Sequence, residues 1–474
     1  MNKEYDIVVI GGGPAGYSGA IKAAQVGAKT ALIERGEIGG VCLNRGCIPA
    51  KTLLKTAELV HEIKGAARRG VRIAEPRLTV DMPLVVEEKN RVVRKLSSGV
   101  ASLLMANGVD VYKEEGKLLA PGRATAGTET LEAKRIILAG GSQCARIPIP
   151  GLDLPGVLTS AEILDIGEVP PRLAIIGGGV IGVEMAMIFQ SFGSKVSVIE
   201  ALPHILPFMD ADISALLQKI LKSRGAEISV GIGLEGITKK DDGLELALKD
   251  GSVIAADKVL VSIGRTADLS CLGDMAQVLK QEKGSVVVDD YMETSLSGVY
   301  APGDINGKKM LAHAAFKMAE TAAMNAASAI GLSAAGRIKA DLQHVPSVVY
   351  CFPEAASVGL TQEEAGRQGS VMTGKFPLAA NGKALSADSP EGFVKVLADR
   401  RYGEILGVHI VGPGASEIIN EAAALMAMEI TVHELADIVH GHPTVSEALM
   451  EAAADCLGRS VHLPPKKARN AQVV

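Results

Sequence analysis

One pattern in this 474-residue chain constrains its fold more than any other. Residues 6–35, DIVVIGGGPAGYSGAIKAAQVGAKTALIER, and residues 172–201, RLAIIGGGVIGVEMAMIFQSFGSKVSVIEA, align without a gap at an offset of 166. Each copy reads as an apolar strand, a Gly-x-Gly-x-x-Gly turn, a helix and a second strand closing on Glu. The residues are Gly11, Gly13, Gly16 and Glu34 in the first copy, and Gly177, Gly179, Gly182 and Glu200 in the second. The continuous apolar runs at 7–10 and 173–176 suit strands covered on both faces of a parallel sheet. A repeat this long is not a solenoid period; it indicates two related α/β domains.

Each glycine of such a turn has its own task. The first lets the chain turn, the second lets the backbone approach a pyrophosphate, and the third lets helix and strand pack closely. The helix N-terminus adds unpaired N–H groups and a positive dipole end. A carboxylate about 20 residues on binds ribose hydroxyls; Glu34 and Glu200 each follow the last glycine of their turn by 18 positions. One glycine-rich turn is weak support, because plain strand–helix turns share it. Two complete copies, each with strand, helix and acid, point to two dinucleotide sites. Glu200 favours NAD over NADP, since a carboxylate repels a 2′-phosphate and no Arg replaces it.

The length leaves room for roughly three domains. Lys and Arg number 49 against 54 Asp and Glu, and a formal charge of −5 excludes a bulk electrostatic grip on nucleic acid. Six cysteines are too few for a disulfide-stapled secreted scaffold. Residues 173–189 could be mistaken for a membrane span. They contain four glycines and Glu184, and fall short of the roughly 20 residues a span requires. The first six residues carry two acids and run into a strand, unlike a signal peptide. A soluble, cytoplasmic protein without a membrane partner is expected.

Short apolar runs at 135–138, 258–263 and 285–288 read as further strands. Residues 81–108 have helical spacing, with Leu84, Val85, Val92, Val93, Leu96, Val100, Leu103 and Leu104. Residues 147–151, IPIPG, read as a crossing between domains, because prolines favour extended backbone there. After about residue 342 the texture changes. Strands at 345–350, 393–397 and 405–411 precede helices at 415–429 and 445–457, the order of an α+β domain. Residues 464–470 read as a mobile tail.

Residues 39–51 read GGVCLNRGCIPAK, with four residues between Cys42 and Cys47. Positions five apart on a regular helix differ by about 140° in direction, so a bridge needs a distorted turn, which Gly46 and Pro49 permit. Such a strained disulfide is easier to reduce than a structural one. Two buried, inert thiols fit the spacing equally well. Zinc fits less well, because no second Cys or His pair with ligand spacing lies nearby. Cys144, Cys271, Cys351 and Cys456 read as isolated core thiols. Near the C-terminus, His440-Gly441-His442-Pro443-Thr444-Val445-Ser446-Glu447 offers two imidazoles and a carboxylate. Thr444 or Ser446 can cap the helix that begins here. Glu447 can orient His442 and stabilise its charged form, as a general base requires; a structural histidine beside a helix cap is the plainer alternative. His440 has no comparable partner in the sequence and reads as structural.

Taken in order, these motifs resemble those of the FAD-dependent pyridine nucleotide–disulfide oxidoreductases, and among them the dihydrolipoamide dehydrogenases, over nearly the whole chain. Residues 39–51 are similar to the family's GGTCLNVGCIPSK box. Ala301-Pro302-Gly303-Asp304 matches its second flavin motif, Met310-Leu311-Ala312-His313 the segment after it, and residues 442–447 its HPTLSE. The implied fold class is α/β, with two Rossmann-like dinucleotide-binding domains and a C-terminal α+β dimerisation domain. The expected division is an FAD-binding domain at 1–148, an NAD-binding domain at 149–268, a central segment at 269–341 completing the FAD-binding part, and a dimerisation domain at 342–474.

The resemblance also implies roles. Gly11, Gly13, Gly16 and Glu34 would hold FAD, Asp304 its ribityl–pyrophosphate region, and Ala312 its ring through the backbone. Gly177, Gly179, Gly182, Glu200 and Gly264 would hold NAD. Lys51 would lie beside the flavin, paired with Glu184; a cation at that edge favours the reduced ring. Cys42 and Cys47 would form the redox disulfide, with His442 and Glu447 as the base supplied across a homodimer; no metal is implied. The implied reaction oxidises protein-bound dihydrolipoamide to lipoamide and passes the electrons through Cys42–Cys47 and FAD to NAD. Its partner would be a lipoyl-carrying protein of a 2-oxo-acid dehydrogenase or glycine-cleavage system.

A reductase of another disulfide (glutathione-like, coenzyme A or mercuric) and a non-catalytic flavoprotein binding module are the alternatives. Glu200 argues against NADP-linked members, the solitary Cys456 against mercuric chemistry, and the presence of both thiols and base against lost catalysis. The chain departs from the family pattern at Val41, Arg45, Ala50, Ala267, Asp268 and Ala314. Arg45 would either lower a thiol's proton affinity or face solvent.

Overall fold

The computed structural model describes residues 3–72 and 78–465, so the expected tail from Lys466 onward lies outside the described residues. The first half of the echo opens a seven-stranded sheet. Lys3–Ile10 lies between Thr30–Ile33 and Glu129–Leu138, parallel to both, with Ile7 opposite Thr30 and Arg135. Asp110–Tyr112 extends one edge in parallel, and the antiparallel Arg123–Ala126 and Gly116–Ala120 extend the other. Ile7, Val8 and Val9 are fully buried, because helices and loops cover both faces of this sheet. Val299–Tyr300, far along the chain, returns to pair with Ile136 and Ile137. The chain beyond the second sheet therefore adds a short strand to the first.

The second half of the echo opens a five-stranded parallel sheet. Its order is Glu227–Val230, Lys195–Glu200, Arg172–Ile176, Lys258–Val261, Val157–Thr159. The apolar stretch at 173–189 is divided between the strand Arg172–Ile176 and the helix Val180–Phe192. Among the described residues no helix is long and apolar enough to cross a membrane.

The C-terminal region is a five-stranded antiparallel sheet, ordered Ser347–Val349, Glu354–Gly359, Ile405–Gly412, Phe393–Asp399, Val371–Pro377. The helices Ala415–Ala427 and Glu447–Cys456 pack on it. A β-carbon on Gly374 would lie 1.9 Å from the Ala452 carbonyl oxygen, so only glycine lets the second helix settle this close to its strand. That approach places Glu447. Val349, Cys351, Phe393 and Val411 share an apolar cluster with Leu53 and Leu54 and with Val183 and Phe189, joining three parts of the chain.

Two expectations change here. The helix Met82–Ala106 forms as its spacing predicts, yet only Met82, Lys89, Val100 and Leu104 are buried, while Leu84, Leu96 and Leu103 are exposed. Helical spacing fixes a face but not what covers it. Cys144 is not a core thiol: it is half-buried beside the Ser160 hydroxyl at 3.4 Å. Cys271, Cys351 and Cys456 are buried, and burial pushes the Cys271 thiol up to about 12.

Candidate active site

The two glycine turns share one build. A β-carbon on Gly11 would lie 2.2 Å from the Ala139 oxygen, and one on Gly16 only 1.7 Å from the Gly11 oxygen. In the second turn Gly177 would meet the Ser262 oxygen at 2.4 Å and Gly182 the Gly177 oxygen at 2.0 Å. Gly11 and Gly177 also hold φ of +104° and +103°, where a side chain is strained. The middle glycines differ. Gly179 faces open space, and Gly13 meets only the Gly40 α-carbon at 3.8 Å. Each turn so leaves bare backbone at the start of a helix, Pro14–Gln25 or Val180–Phe192, with no side chain capping it. Both cradles fit a pyrophosphate.

The acids repeat the symmetry. Glu34 accepts from the N–H of Gly12 at 2.5 Å and of Gly36 at 2.6 Å; Glu200 accepts from Gly178 at 2.7 Å and Leu202 at 2.8 Å. Each oxygen keeps a lone pair for a ribose hydroxyl. Gly264 has φ +119° and nothing within 4 Å of a β-carbon built there. Asp304 accepts from the Ser142 hydroxyl, which in turn accepts from Arg265 Nε at 2.8 Å. Ala312 opens the helix Ala312–Ser328, where first-turn N–H groups lack helical partners.

Between the cysteines the helix breaks. Gly40–Arg45 ends at Gly46, whose φ of −148° and ψ of −107° are not helical, and Cys47–Gly65 begins anew. The break brings the thiols together as neighbours that act on one another, and both are free. Cys47, with burial, pushes the Cys42 thiol far above its ordinary value. Cys47 is brought down to about 7, first by Cys42 and then by Lys51, against the opposing effect of burial. Cys47 is also the first residue of a 19-residue helix, where the dipole favours a thiolate. Of the two roles open to Arg45, solvent is the one realised. It is exposed, lies near Gly36, and is not among the largest influences on either thiol.

Lys51, one turn along from Cys47, meets Glu184 Oε2 at 2.9 Å and Oε1 at 3.0 Å. Glu184 is buried, and desolvation pushes its carboxyl up despite the ammonium. Tyr350 completes the group: its main-chain N–H donates to Glu184 Oε1 at 3.0 Å, and Lys51 Nζ lies 4.3 Å from its ring centroid.

His442 Nδ1 lies 2.8 Å from Glu447 Oε1, and Glu447 Oε2 accepts from the Thr444 N–H at 2.8 Å. Burial would raise the Glu447 carboxyl, but the Thr444 N–H and the imidazole hold it below the usual range. Neither expected hydroxyl caps the helix. Ser446 is already helical at φ −62° and ψ −23°, and its hydroxyl turns to Thr444 Oγ1. His440 is not without a partner: its Nε2 meets Glu421 Oε1 at 2.9 Å. Glu421 sits on another helix, so spacing within the motif could not reveal it.

Residues 5–319 match the family model for pyridine nucleotide-disulphide oxidoreductase, and residues 345–453 match that family's dimerisation domain. The chain belongs to the pyridine nucleotide-disulphide oxidoreductases. Among curated relatives, it is 42% identical to dihydrolipoyl dehydrogenase of Thermus scotoductus, over 97% of this chain and 99% of that protein. It is 39% identical to dihydrolipoyl dehydrogenase of Bacillus subtilis, over 98% and 100%. The solved structure of LpdA from Mycobacterium tuberculosis superposes with a TM-score of 0.86 at 28% identity, covering 95% of this chain and 99% of that one.

Pyridine nucleotide-disulphide oxidoreductases of the dihydrolipoyl dehydrogenase kind use FAD and NAD, and the two cradles suit such a pair. Within this family member, sequence reasoning missed Tyr350 and Glu421. A tyrosine after a predicted strand carries no local sign of an ammonium above its ring. Cys47, Lys51, Glu184 and Tyr350 form one cluster, whereas His442 and Glu447 sit apart on an exposed loop and helix start, the His442 side chain 78% exposed.

Proposed function

We propose that this enzyme oxidises dihydrolipoamide carried on a partner protein and reduces NAD, as a homodimer. The observation that carries the reading is the pairing of two free thiols, Cys42 and Cys47, across the helix break at Gly46, with Lys51 one helical turn past Cys47 and held by Glu184. The full-length likeness to proteins named dihydrolipoyl dehydrogenase supports the choice of substrate.

The first cradle, with Gly11, Gly13, Gly16 and Glu34, binds FAD, helped by Asp304 and the backbone of Ala312. The second, with Gly177, Gly179, Gly182, Glu200 and Gly264, binds NAD. FAD held in the first cradle would supply two-electron transfer from the dithiol to NAD. The remaining steps belong to the chain.

His442, oriented by Glu447 and supplied by a second copy of the chain, takes a proton from a substrate thiol. The resulting thiolate attacks Cys42 of the oxidised pair, forming a mixed disulfide and releasing Cys47 as thiolate. The second substrate thiol then closes the lipoamide ring and releases Cys42, which takes a proton. Substrate dithiol has become disulfide, and the Cys42–Cys47 disulfide has become a pair of free thiols. Exposed Ile438 and Val439, just before the His442 loop, suit burial against a second copy.

Purified protein given dihydrolipoamide and NAD should produce NADH. Cys42→Ser should abolish that turnover while flavin stays bound. Absence of turnover with FAD bound and both thiols intact would sink the assignment.

A further inference from the structure

Tyr350 stands where three parts of the chain meet. It follows the strand Ser347–Val349 of the C-terminal sheet. Its N–H holds Glu184, on the helix behind the second cradle, and its ring faces Lys51, on the helix that Cys47 begins. Lys51 is four residues past Cys47 and so on the same helix face.

The two charges pull Cys47 in opposite directions. Lys51 favours its thiolate and Glu184 disfavours it. The Lys51–Glu184 pair alone leaves open where the ammonium sits between carboxylate and thiol, because a lysine stem is flexible. The face of an aromatic ring gives that ammonium a second attractive surface, and an N–H on Glu184 Oε1 fixes the carboxylate. The titratable groups facing Cys47 are Cys42, Lys51, Glu184 and Tyr350; Tyr350 also faces Glu354 and Glu417.

We infer that Tyr350 is a positioning residue: its ring and backbone N–H fix the Lys51 ammonium and the Glu184 carboxylate relative to Cys47, and so set how readily Cys47 holds a thiolate. The inference rests on the reading of Cys42 and Cys47 as the redox pair. It makes the C-terminal sheet, which supplies Tyr350, a participant in the chemistry of its own chain's thiol. That is separate from supplying His442 to a second copy.

The test is the pH dependence of Cys47 alkylation by iodoacetamide in the reduced, FAD-loaded protein, with the modified thiol resolved by peptide mass. Tyr350→Phe keeps the ring face and the N–H, and should superpose on the unmodified protein. Tyr350→Leu removes the ring and should move the Cys47 midpoint up by about half to one pH unit, a roughly two- to fivefold slower alkylation at pH 7. If Tyr350→Leu does not fold, Tyr350→Met fills the space with an unbranched chain and carries the same expectation. An unmoved midpoint in the ring-less variant, or an equal shift in Tyr350→Phe, overturns the role. A Cys47 midpoint near the ordinary thiol value of about 8.5 in the unmodified protein overturns both the redox-pair reading and this role.

Discussion

Cys42 and Cys47 meet across the helix break at Gly46, and their proton affinities part: the Cys42 thiol is pushed up and the Cys47 thiol down. The asymmetry has a local cause and a distant one. Cys47 begins a helix beside Cys42, while Lys51 is held in place by residues 133 positions and more away.

Cys47 should therefore react with iodoacetamide with a midpoint near pH 7, while Cys42 stays protonated throughout the neutral range. Cys42→Ala removes the neighbouring thiol, and the Cys47 midpoint should climb toward the ordinary thiol value of about 8.5. A midpoint that stays near 7 in that variant would show that Lys51 and the helix start suffice without Cys42.

The His442–Glu447 dyad should govern the rate of dithiol turnover. His442→Gln should lower kcat by about a hundredfold to ten-thousandfold and leave flavin content unchanged. Glu447→Gln keeps an acceptor for the Thr444 N–H but loses the charge that supports the imidazolium, so a smaller loss is expected. Steady-state NADH formation checks both, and a loss under threefold in His442→Gln would remove the residue from catalysis.

Glu200 holds two backbone N–H groups and faces the second cradle. Glu200→Ala should raise KM for NAD about tenfold or more, the cost of a charge-assisted hydrogen bond to ribose. It should also narrow the preference over NADP by removing the repulsive charge. Parallel titrations with NAD and NADP measure both effects, and unchanged KM values would show that ribose is bound elsewhere.

A second charge cluster concerns stability. Lys395, buried at 2% exposure, meets Asp210 Oδ1 at 2.8 Å and Asp212 at 3.1 Å, with Asp210 itself 1% exposed. Asp210→Asn should destabilise the fold by about 3 kcal/mol or more, because it strips a buried ammonium of its nearest charge. Lys395→Met should cost less, since the Asp210 carboxylate keeps the N–H groups of Asp212 and Gln362. Burial opposes ionisation of Asp210, yet His409, Lys395 and the Gln362 N–H together hold its carboxyl below the usual range. A group depressed on folding contributes stability above its unfolded value of about 3.9, and that contribution is lost as pH falls through the folded value. Thermal melts at pH 7 and near pH 3 should show the difference between unmodified and Asp210→Asn protein shrinking in acid.

The parts legible in sequence were those whose partners are near in sequence. The glycine turns and their carboxylates could be paired by eye because each acid lies 18 residues past its turn, and a strand–turn–helix–strand unit brings those positions together whatever surrounds it. The His442–Glu447 dyad was legible for the same reason. The capping expectation failed within that same motif: Glu447 takes the Thr444 N–H with its own carboxylate, and the choice among several nearby oxygens is made by packing.

Composition and spacing on their own established two nucleotide cradles, a third region of different texture, and a pair of cysteines that could be redox-active or inert. Tertiary structure supplies the surroundings that bear on that choice. A thiol's proton affinity depends on the charges within a few ångströms of its sulfur, and here those charges come from three parts of the chain: Lys51, Glu184 and the ring of Tyr350. Their separation in sequence, 133 positions from Lys51 to Glu184 and 166 from Glu184 to Tyr350, hides them from any local pattern. Folding brings them near one sulfur, where they add to what its neighbour Cys42 already does.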